Sequence, residues 1–286
     1  MRQKYLTPMT VLSAIIAILA TVASAGGLFL DNLYLDNTLV AAAYRGNDLI
    51  TLVIAVPLLA AAMLLAQRGS PRAQLVWMGG LGYMLYNYIF YLYGAAMNRF
   101  FLLYVALFTL SIYALILGLA QLDANGIARR FRARTPTKWI AGWMLFFALL
   151  LGGLWVARSV SFVVTGETPQ DVLQTGHPTA VVYATDLSLL VSSLVVAAVW
   201  LWQRRPWGYG LATILMVKCV TYPLALLAMS VFSFLAGTGW DSLTPLWAFL
   251  GAGCVAALGL LLGNMQPAEE QTVPAPQTPG ALRPLP

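Results

Sequence analysis

The stretch RFFLLYVALFTLSIYALILGLA, residues 99–120, carries a single charge, at its first residue. A helix needs about 20 mostly apolar residues, at about 1.5 Å rise each, to cross about 30 Å of hydrocarbon. This stretch meets that length, and seven others resemble it. The eight apolar runs are residues 9–30, 48–67, 75–97, 99–120, 138–160, 179–203, 207–235 and 245–264. The pattern predicts an all-α, polytopic integral membrane bundle of eight transmembrane helices.

The composition agrees with a membrane protein. Hydrophobic residues make up 60% of the 286 residues and charged residues only 9%, against about 25% charged in soluble domains. So few charges could not cover the surface of a soluble protein of this size. Most of the basic residues that give the net charge of +6 lie between the apolar runs, and they form no nucleic-acid-binding patch. We therefore expect the lipid bilayer as the surroundings and no nucleic-acid partner.

The distribution of Lys and Arg predicts the orientation. With a cytoplasmic amino terminus, only Arg45, Arg99 and Arg158 fall outside, and Lys218 lies within a run. Twelve others fall inside: Arg2, Lys4, Arg68, Arg72, Arg129, Arg130, Arg132, Arg134, Lys138, Arg204, Arg205 and Arg283. Short cytoplasmic loops are enriched in Lys and Arg. We expect both termini in the cytoplasm and a bacterial-type plasma membrane as the location.

The first run has an alternative interpretation as a cleaved signal peptide. Arg2 and Lys4 precede it, and Ala23-Ser24-Ala25 resembles a small-residue cleavage site. Cleavage would leave seven spans and an external amino terminus.

Short matches between the two halves predict an internal repeat. Four recur in the same order: Thr7-Pro8 with Thr135-Pro136, Gly26–Phe29 with Gly152–Trp155, Asp48-Leu49 with Asp186-Leu187, and Ala114–Gly118 with Gly259–Gly263. Four spans per half is an even number, so the halves would be parallel repeats, as in some transporters. We expect one transmembrane domain, 1–264, with repeats at 7–120 and 135–264, and a disordered cytoplasmic tail at 265–286. The longer outer connections, 31–47 and 161–178, are equivalent, and the second is expected to form a short interfacial helix or lid.

Lys218 is the sharpest functional candidate. It lies eleven residues from Trp207, so about 16 Å from the inner end of its helix. A Lys at mid-membrane costs about 2.5–3.5 kcal/mol, so it should face protein or a water-filled cavity. Asn87 lies at nearly the same depth. One interpretation makes the two residues a substrate or proton site between the halves. The alternative is that Lys218 bonds tyrosine hydroxyls or backbone carbonyls and fixes helix packing.

Tyrosines lie near the depth of Lys218 in two of the apolar runs. Tyr83, Asn87 and Tyr91 follow helical spacing and line one face. Tyr222 precedes Pro223, a helix-kinking residue one turn from Lys218. We predict a substrate-binding set, which consists of Lys218, Asn87, Tyr91, Tyr83 and Tyr222. Tyrosines as interfacial or inter-helix contacts are the alternative.

Asp48 and Asp186 are predicted to lie at the outer mouth of the bundle. They sit about 26–28 Å up their helices from the inner ends. A pair of carboxylates there could gate a cavity, bind cations or take protons. The electrostatic alternative places each acid in a first helical turn, with Asn47 and Thr185 as caps.

Three classes of function follow from these residues. The first is a small-molecule permease-like protein with a polar site at mid-membrane between the repeats. The second is a structural or accessory membrane subunit that docks a partner through small-residue helix faces. Those faces are Ala252, Ala256, Gly259 and Gly263 in the last run and Ser13, Ala17, Ala20 and Ser24 in the first. The third is an intramembrane enzyme acting at the outer face, with Asp48, Asp186 and His177.

No catalytic, metal or cofactor site is predicted. The sequence has one His, no HExxH motif and no phosphate-binding or dinucleotide-binding loop. Cys219 and Cys254 are expected to be buried packing residues.

Overall fold

A computed structural model describes residues 7–266 of the chain. Within that range the chain folds into ten helices and no strands, with one isolated bridge between Phe131 and Met265. Eight helices are long: α1 Pro8–Phe29, α2 Thr38–Gln67, α3 Pro71–Tyr93, α4 Phe101–Ala120, α6 Thr137–Thr165, α8 Val181–Trp202, α9 Pro206–Leu235 and α10 Thr244–Asn264. Two are short: α5 Ala124–Arg129 and α7 Gln170–Thr175.

Seven of the long helices, all except α3, are long and apolar enough to cross a membrane. Their apolar side chains also face outward, as lipid contact requires. On α1, Val11, Ile15, Ile18 and Val22 are exposed along one side, and Ile16 is fully buried on the other. The all-helical class and the multi-pass membrane character predicted from the sequence are therefore confirmed.

Helix α3 is long enough to span but less apolar, because tyrosine, asparagine and glycine occupy much of its length. Its two ends lie at opposite ends of the bundle. The Arg72 guanidinium donates to the carbonyl oxygen of Met265, beyond the end of α10. At the other end, the Tyr44 hydroxyl donates to the carbonyl oxygen of Phe90 at 3.0 Å. Helix α3 therefore runs the length of the bundle beside apolar neighbours.

Helix α9 is the centre of the bundle. It packs against α2, α3, α8, α10 and α5. Of the residues in its most apolar 18-residue stretch, 61% are buried, more than in any other candidate span. Close approach to α2 depends on Gly46, where a Cβ would lie 2.6 Å from the backbone N and Cα of Met229. Helix α9 therefore presents its side chains to both halves of the chain.

The predicted start of the second span is wrong. Helix α2 begins at Thr38, ten residues before the predicted start, and the side chain of Asn37 caps it by accepting from the backbone N–H of Val40 at 3.0 Å. Polar residues such as Asn47 lie inside the helix and face protein, so they do not mark the membrane surface. The outer connection before α2 is correspondingly shorter than 31–47.

The connection between α6 and α8, which the sequence predicts to be an outer one, contains the predicted short helix, α7. The side-chain amide of Asn37 donates to the carbonyl oxygens of Gln174 and Thr175 at 2.9 and 3.1 Å, and so ties α7 to the start of α2. At the other end of the bundle, the structure describes the first two residues of the predicted tail, Met265 and Gln266. Met265 is fully buried, and the backbone N–H of Gln266 donates to Arg130. The rest of that tail, 267–286, lies outside the described residues.

Two of the spanning helices contain a π-helical segment. Residues Thr51–Ala55 form one in α2, and Asp186–Val191 form the other in α8. In α2 the Val56 N–H bonds to the carbonyl of Thr51, five residues back, just before Pro57, which has no N–H to donate. Such segments occur often at functional sites, and each of these lies next to a buried aspartate.

Candidate functional site

Lys218 lies in a box of three tyrosine rings. Its Nζ is 3.8 Å from the ring centroid of Tyr86, 4.8 Å from that of Tyr222 and 5.2 Å from that of Tyr83. The side chain is only 6% exposed. No hydrogen bond or ion pair joins its ammonium group to another described residue. Cation–π attraction to the ring faces and the nearby charge of Asp186 therefore stabilise the ammonium.

Asp186 accepts hydrogen bonds from three aromatic side chains. The Tyr86 hydroxyl donates to Oδ1, and Trp155 Nε1 and the Tyr222 hydroxyl donate to Oδ2 at 2.8 and 3.0 Å. The carboxylate is fully buried. Two rings of the Lys218 box thus direct their hydroxyl groups to Asp186. A Tyr hydroxyl has one proton to donate, so both are already committed.

Asp48 has a similar environment in the other half of the chain. The Tyr91 hydroxyl donates to Oδ1 at 2.9 Å, and the Tyr34 hydroxyl donates to Oδ2. Burial, followed by the Asp48 charge, raises the pKa of Tyr34 far above its usual value. Tyr34 therefore remains protonated and able to donate. The carboxylate is 1% exposed.

A chain of amides and hydroxyls connects the Asp48 cluster with the Lys218 box. The Asn47 amide donates to Tyr91 at 3.0 Å and to Asn87 Oδ1 at 2.6 Å. The hydroxyl groups of Thr51 and Tyr83 share a hydrogen bond at 2.7 Å, and the Asn87 amide donates to Thr51 at 3.4 Å. The polar network therefore runs from one half of the chain to the other through α2 and α3.

The electrostatic alternative, in which Asp48 and Asp186 lie in first helical turns, is wrong. Their position at the outer mouth stays a prediction. Asp48 is the eleventh residue of α2 and Asp186 the sixth of α8. Neither Asn47 nor Thr185 caps a helix, since both lie within helices. The carboxylates are stable in the interior because tyrosine and tryptophan donors satisfy them, which sequence spacing alone does not reveal.

A large vestibule opens at one end of the bundle. It has a volume of about 1220 Å³ and lies between the first residues of α2 and the last residues of α6 and α9. Its lining includes Asn37, Arg158, Asp171, Asp241 and Trp247. Arg158 and Asp171 form an ion pair at 2.8 Å across it.

A smaller inner cavity lies beside the vestibule and is lined by Lys218. Its volume is about 170 Å³, and the two spaces share wall residues such as Ala43, Tyr222 and Met229. Aliphatic and aromatic side chains form most of its lining, and Lys218 is the only charged residue there. Asn87 and His177 also line it, and His177 Nε2 has no hydrogen-bond partner among residues 7–266.

The structure brings four of the five predicted substrate-binding residues to this cavity: Lys218, Asn87, Tyr83 and Tyr222. Tyr91 does not line it and binds Asp48 instead. Tyr86 was missed, although it has the closest ring to Lys218 and lies three residues after Tyr83. Trp155 was also missed as a partner of Asp186, although it occurs in the Gly-Gly-Leu-Trp motif.

Two chemistries lack the geometry they need within the described residues. The two aspartates have separate partners, and neither lines the inner cavity, so they do not converge on one substrate atom. Residues 7–266 contain no group of three or more His, Cys, Asp or Glu side chains that could hold a metal ion.

Comparison of the chain with family models, curated proteins and solved structures gives no match. The geometry of the site therefore carries the functional argument.

Proposed function

We propose that the chain is a permease-like protein that takes a small molecule from the outer face into the inner cavity. One observation carries the proposal: a cavity lined by Lys218, whose ammonium has no hydrogen bond to another described residue, shares wall residues with a large vestibule at one end of the bundle. A purely structural bundle would be expected to pack tightly around Lys218, because a cavity removes the van der Waals contacts that stabilise a core. Ligand sites are typically concave and mostly apolar, with few polar groups.

The proposal includes eight spans, both termini in the cytoplasm and a bacterial-type plasma membrane. Helix α3 supplies the eighth span, since its ends approach both ends of the bundle. Arg72 and Met265 lie together at the end where the predicted cytoplasmic residues collect. The Lys and Arg bias favours that end as the inner side.

The proposed repeats, 7–120 and 135–264, draw support from equivalent packing. Helix α3 packs on α2 and α4, and α9 packs on α8 and α10 in the same order. The equivalent helices α2 and α8 both combine a buried aspartate with a π-helical segment. The inner cavity lies where α2 and α3 of one repeat meet α8 and α9 of the other, as expected for a transporter built from repeats.

Cysteine labelling from the outer face tests whether the cavity is water-accessible. In a background with Cys219 and Cys254 changed to Ala, a single cysteine replaces Ala225, which lines the inner cavity. The matched control replaces Ala212, a fully buried alanine of the same helix that does not line it. We expect a membrane-impermeant methanethiosulfonate reagent to modify Ala225→Cys in intact cells and to leave Ala212→Cys unmodified until the protein is denatured.

The results separate the candidate functions. Equal protection of both cysteines would contradict the permease-like function, since no small molecule could then reach Lys218. Labelling of Ala225→Cys only from the cytoplasmic side would contradict the proposed orientation.

Exposed small residues on α10 favour an accessory subunit as the second candidate. Ala252, Ala256, Gly259 and Gly263 are all exposed along one face, and such faces allow close helix approach in lipid. The corresponding residues of α1 pack inside the bundle, where Ser13, Ala20 and Ser24 are buried.

If α10 docks a partner, Gly259→Phe should reduce the mass of the complex extracted from native membranes. An unchanged mass would argue against this candidate.

A further inference from the structure

We propose that the inner cavity selects a small organic monoanion, with Lys218 as the group that binds its negative charge. This inference rests on the permease-like function above and adds the chemical class of the substrate. An apolar body of limited size would occupy the cavity walls, and a carboxylate at its end would reach the ammonium. The juxtaposition of a free ammonium, an apolar cavity and committed tyrosine hydroxyls carries the argument.

The first step concerns the unused donors of Lys218. An ammonium group has three N–H donors, and none meets an acceptor among the described residues. The three ring hydroxyls use their protons elsewhere, since Tyr86 and Tyr222 donate to Asp186, and Tyr83 shares a hydrogen bond with Thr51. These hydroxyls therefore have no proton left for an anion, whereas the ammonium keeps all three of its own. Ring faces attract the charge but accept no conventional hydrogen bond. An anion entering the cavity would therefore supply the hydrogen-bond acceptors that the described residues do not provide to the Lys218 ammonium.

The second step concerns the sign of the charge. Among the residues that line the inner cavity, Lys218 is the only charged one, and no Asp or Glu lines it. Asp186 is the nearest carboxylate that the box touches, and the two tyrosine hydroxyls and Trp155 enclose it. A cationic ligand would thus meet a like charge with no acidic partner. A charge-assisted hydrogen bond to a carboxylate is about twice as strong as a neutral one.

The third step limits the anion to one charge and a small body. The vestibule carries Glu167, Asp171 and Asp241 against Arg158, so it repels a dianion more than a monoanion, and one ammonium balances only one charge. The cavity of about 170 Å³ is smaller than the roughly 300–1,000 Å³ of sites for drug-sized ligands. A monocarboxylate with a short aliphatic or single-ring body meets both limits.

The test measures protection of the Ala225→Cys reporter in membranes that contain the full chain. The probes are acetate, butanoate, hexanoate and benzoate, each paired with its neutral amide, and benzylamine serves as the cation. We expect at least one carboxylate to slow labelling at concentrations about tenfold or more below those its amide needs, because a charge-assisted bond contributes about 1.5–3 kcal/mol. Lys218→Met should abolish that difference, whereas Lys138→Met, at an exposed lysine, should preserve it.

A second readout does not depend on ligand choice. An anionic and a cationic methanethiosulfonate reagent are compared at Ala225→Cys, each relative to its rate with a free thiol. Lys218→Met should lower the anionic-to-cationic rate ratio several-fold, because the positive charge near the reporter is lost.

The failures of the two proposals are distinguishable. Absence of labelling at Ala225→Cys overturns the permease-like function and the anion site together. Rapid labelling with no preference for any carboxylate over its amide, or with benzylamine as the strongest protector, overturns the anion site alone. A rate ratio that Lys218→Met leaves unchanged has the same consequence.

Discussion

Replacing Lys218 by Met should leave the fold intact or stabilise it. Met has a similar length and no charge, so it can occupy the same space between the rings of Tyr83, Tyr86 and Tyr222. The change removes the desolvation penalty of a mid-membrane Lys, about 2.5–3.5 kcal/mol. It also removes the attraction to three ring faces, which we put at about 1–3 kcal/mol in total. The net expectation is a free energy of unfolding higher by about 0–2 kcal/mol.

The measurement is thermal unfolding of the purified full chain, followed by tryptophan fluorescence at a fixed scan rate. A change of 1 kcal/mol moves the Tm of a chain somewhat smaller than this one by about 2–4 °C. Lys218→Met should therefore shift the Tm by about 0 to +8 °C. Carboxylate protection of the cavity should be lost in the same variant.

Asp186→Ala provides the contrasting variant. It leaves Tyr86, Trp155 and Tyr222 without the acceptor that they share. Each buried donor left unsatisfied costs about 1–3 kcal/mol, so the Tm should fall by at least about 6 °C. A comparable fall in Lys218→Met would refute the reasoning, because it would make Lys218 a packing element that the fold requires.

Two further predictions concern helix contact and the vestibule. Gly46→Leu should lower the Tm by several degrees, because its Cβ would lie 2.6 Å from the backbone of Met229 and force α2 away from α9. The control variant, Gly82→Ala, has nothing within 4 Å of the added Cβ and should stabilise α3 by up to about 1 kcal/mol. Equal Tm values for the two variants would contradict the close contact between α2 and α9. Asp171→Asn should break the partly exposed ion pair with Arg158 and change the free energy of unfolding by less than about 1 kcal/mol. It should also speed labelling of the inner cavity by loosening α7, and an unchanged rate would show that α7 does not limit entry.

The helical membrane class follows directly from the sequence, because hydrophobicity over 20 residues reflects a local requirement of the bilayer. Run 99–120 corresponds closely to α4, and run 245–264 to α10. The error at α2 has a physical cause. Arg45, Asn47 and Asp48 suggest an interface when hydropathy alone is considered, yet they lie inside a helix that other helices cover.

The candidate site was predictable only in part. Lys218 attracts attention because its charge lies within an apolar run, a feature that the sequence displays by itself. Its partners depend on contacts between distant residues, such as the bond between Tyr86 and Asp186, 100 positions apart. The choice of Tyr91 over Tyr86 reflects the same limit. The two lie on different sides of α3, and only the packing of α9 decides which side meets the ammonium.

The buried polar groups divide into two kinds, and the division indicates which of them would bind an incoming molecule. The carboxylates of Asp48 and Asp186 accept two and three hydrogen bonds from aromatic side chains, so they resemble structural centres that hold neighbouring elements together. The ammonium of Lys218 has no hydrogen-bond partner among the described residues, although burying it costs as much free energy as burying a carboxylate. A group that the protein solvates incompletely and leaves open to a cavity is where an incoming molecule gains most binding energy, because the desolvation penalty has already been met in folding.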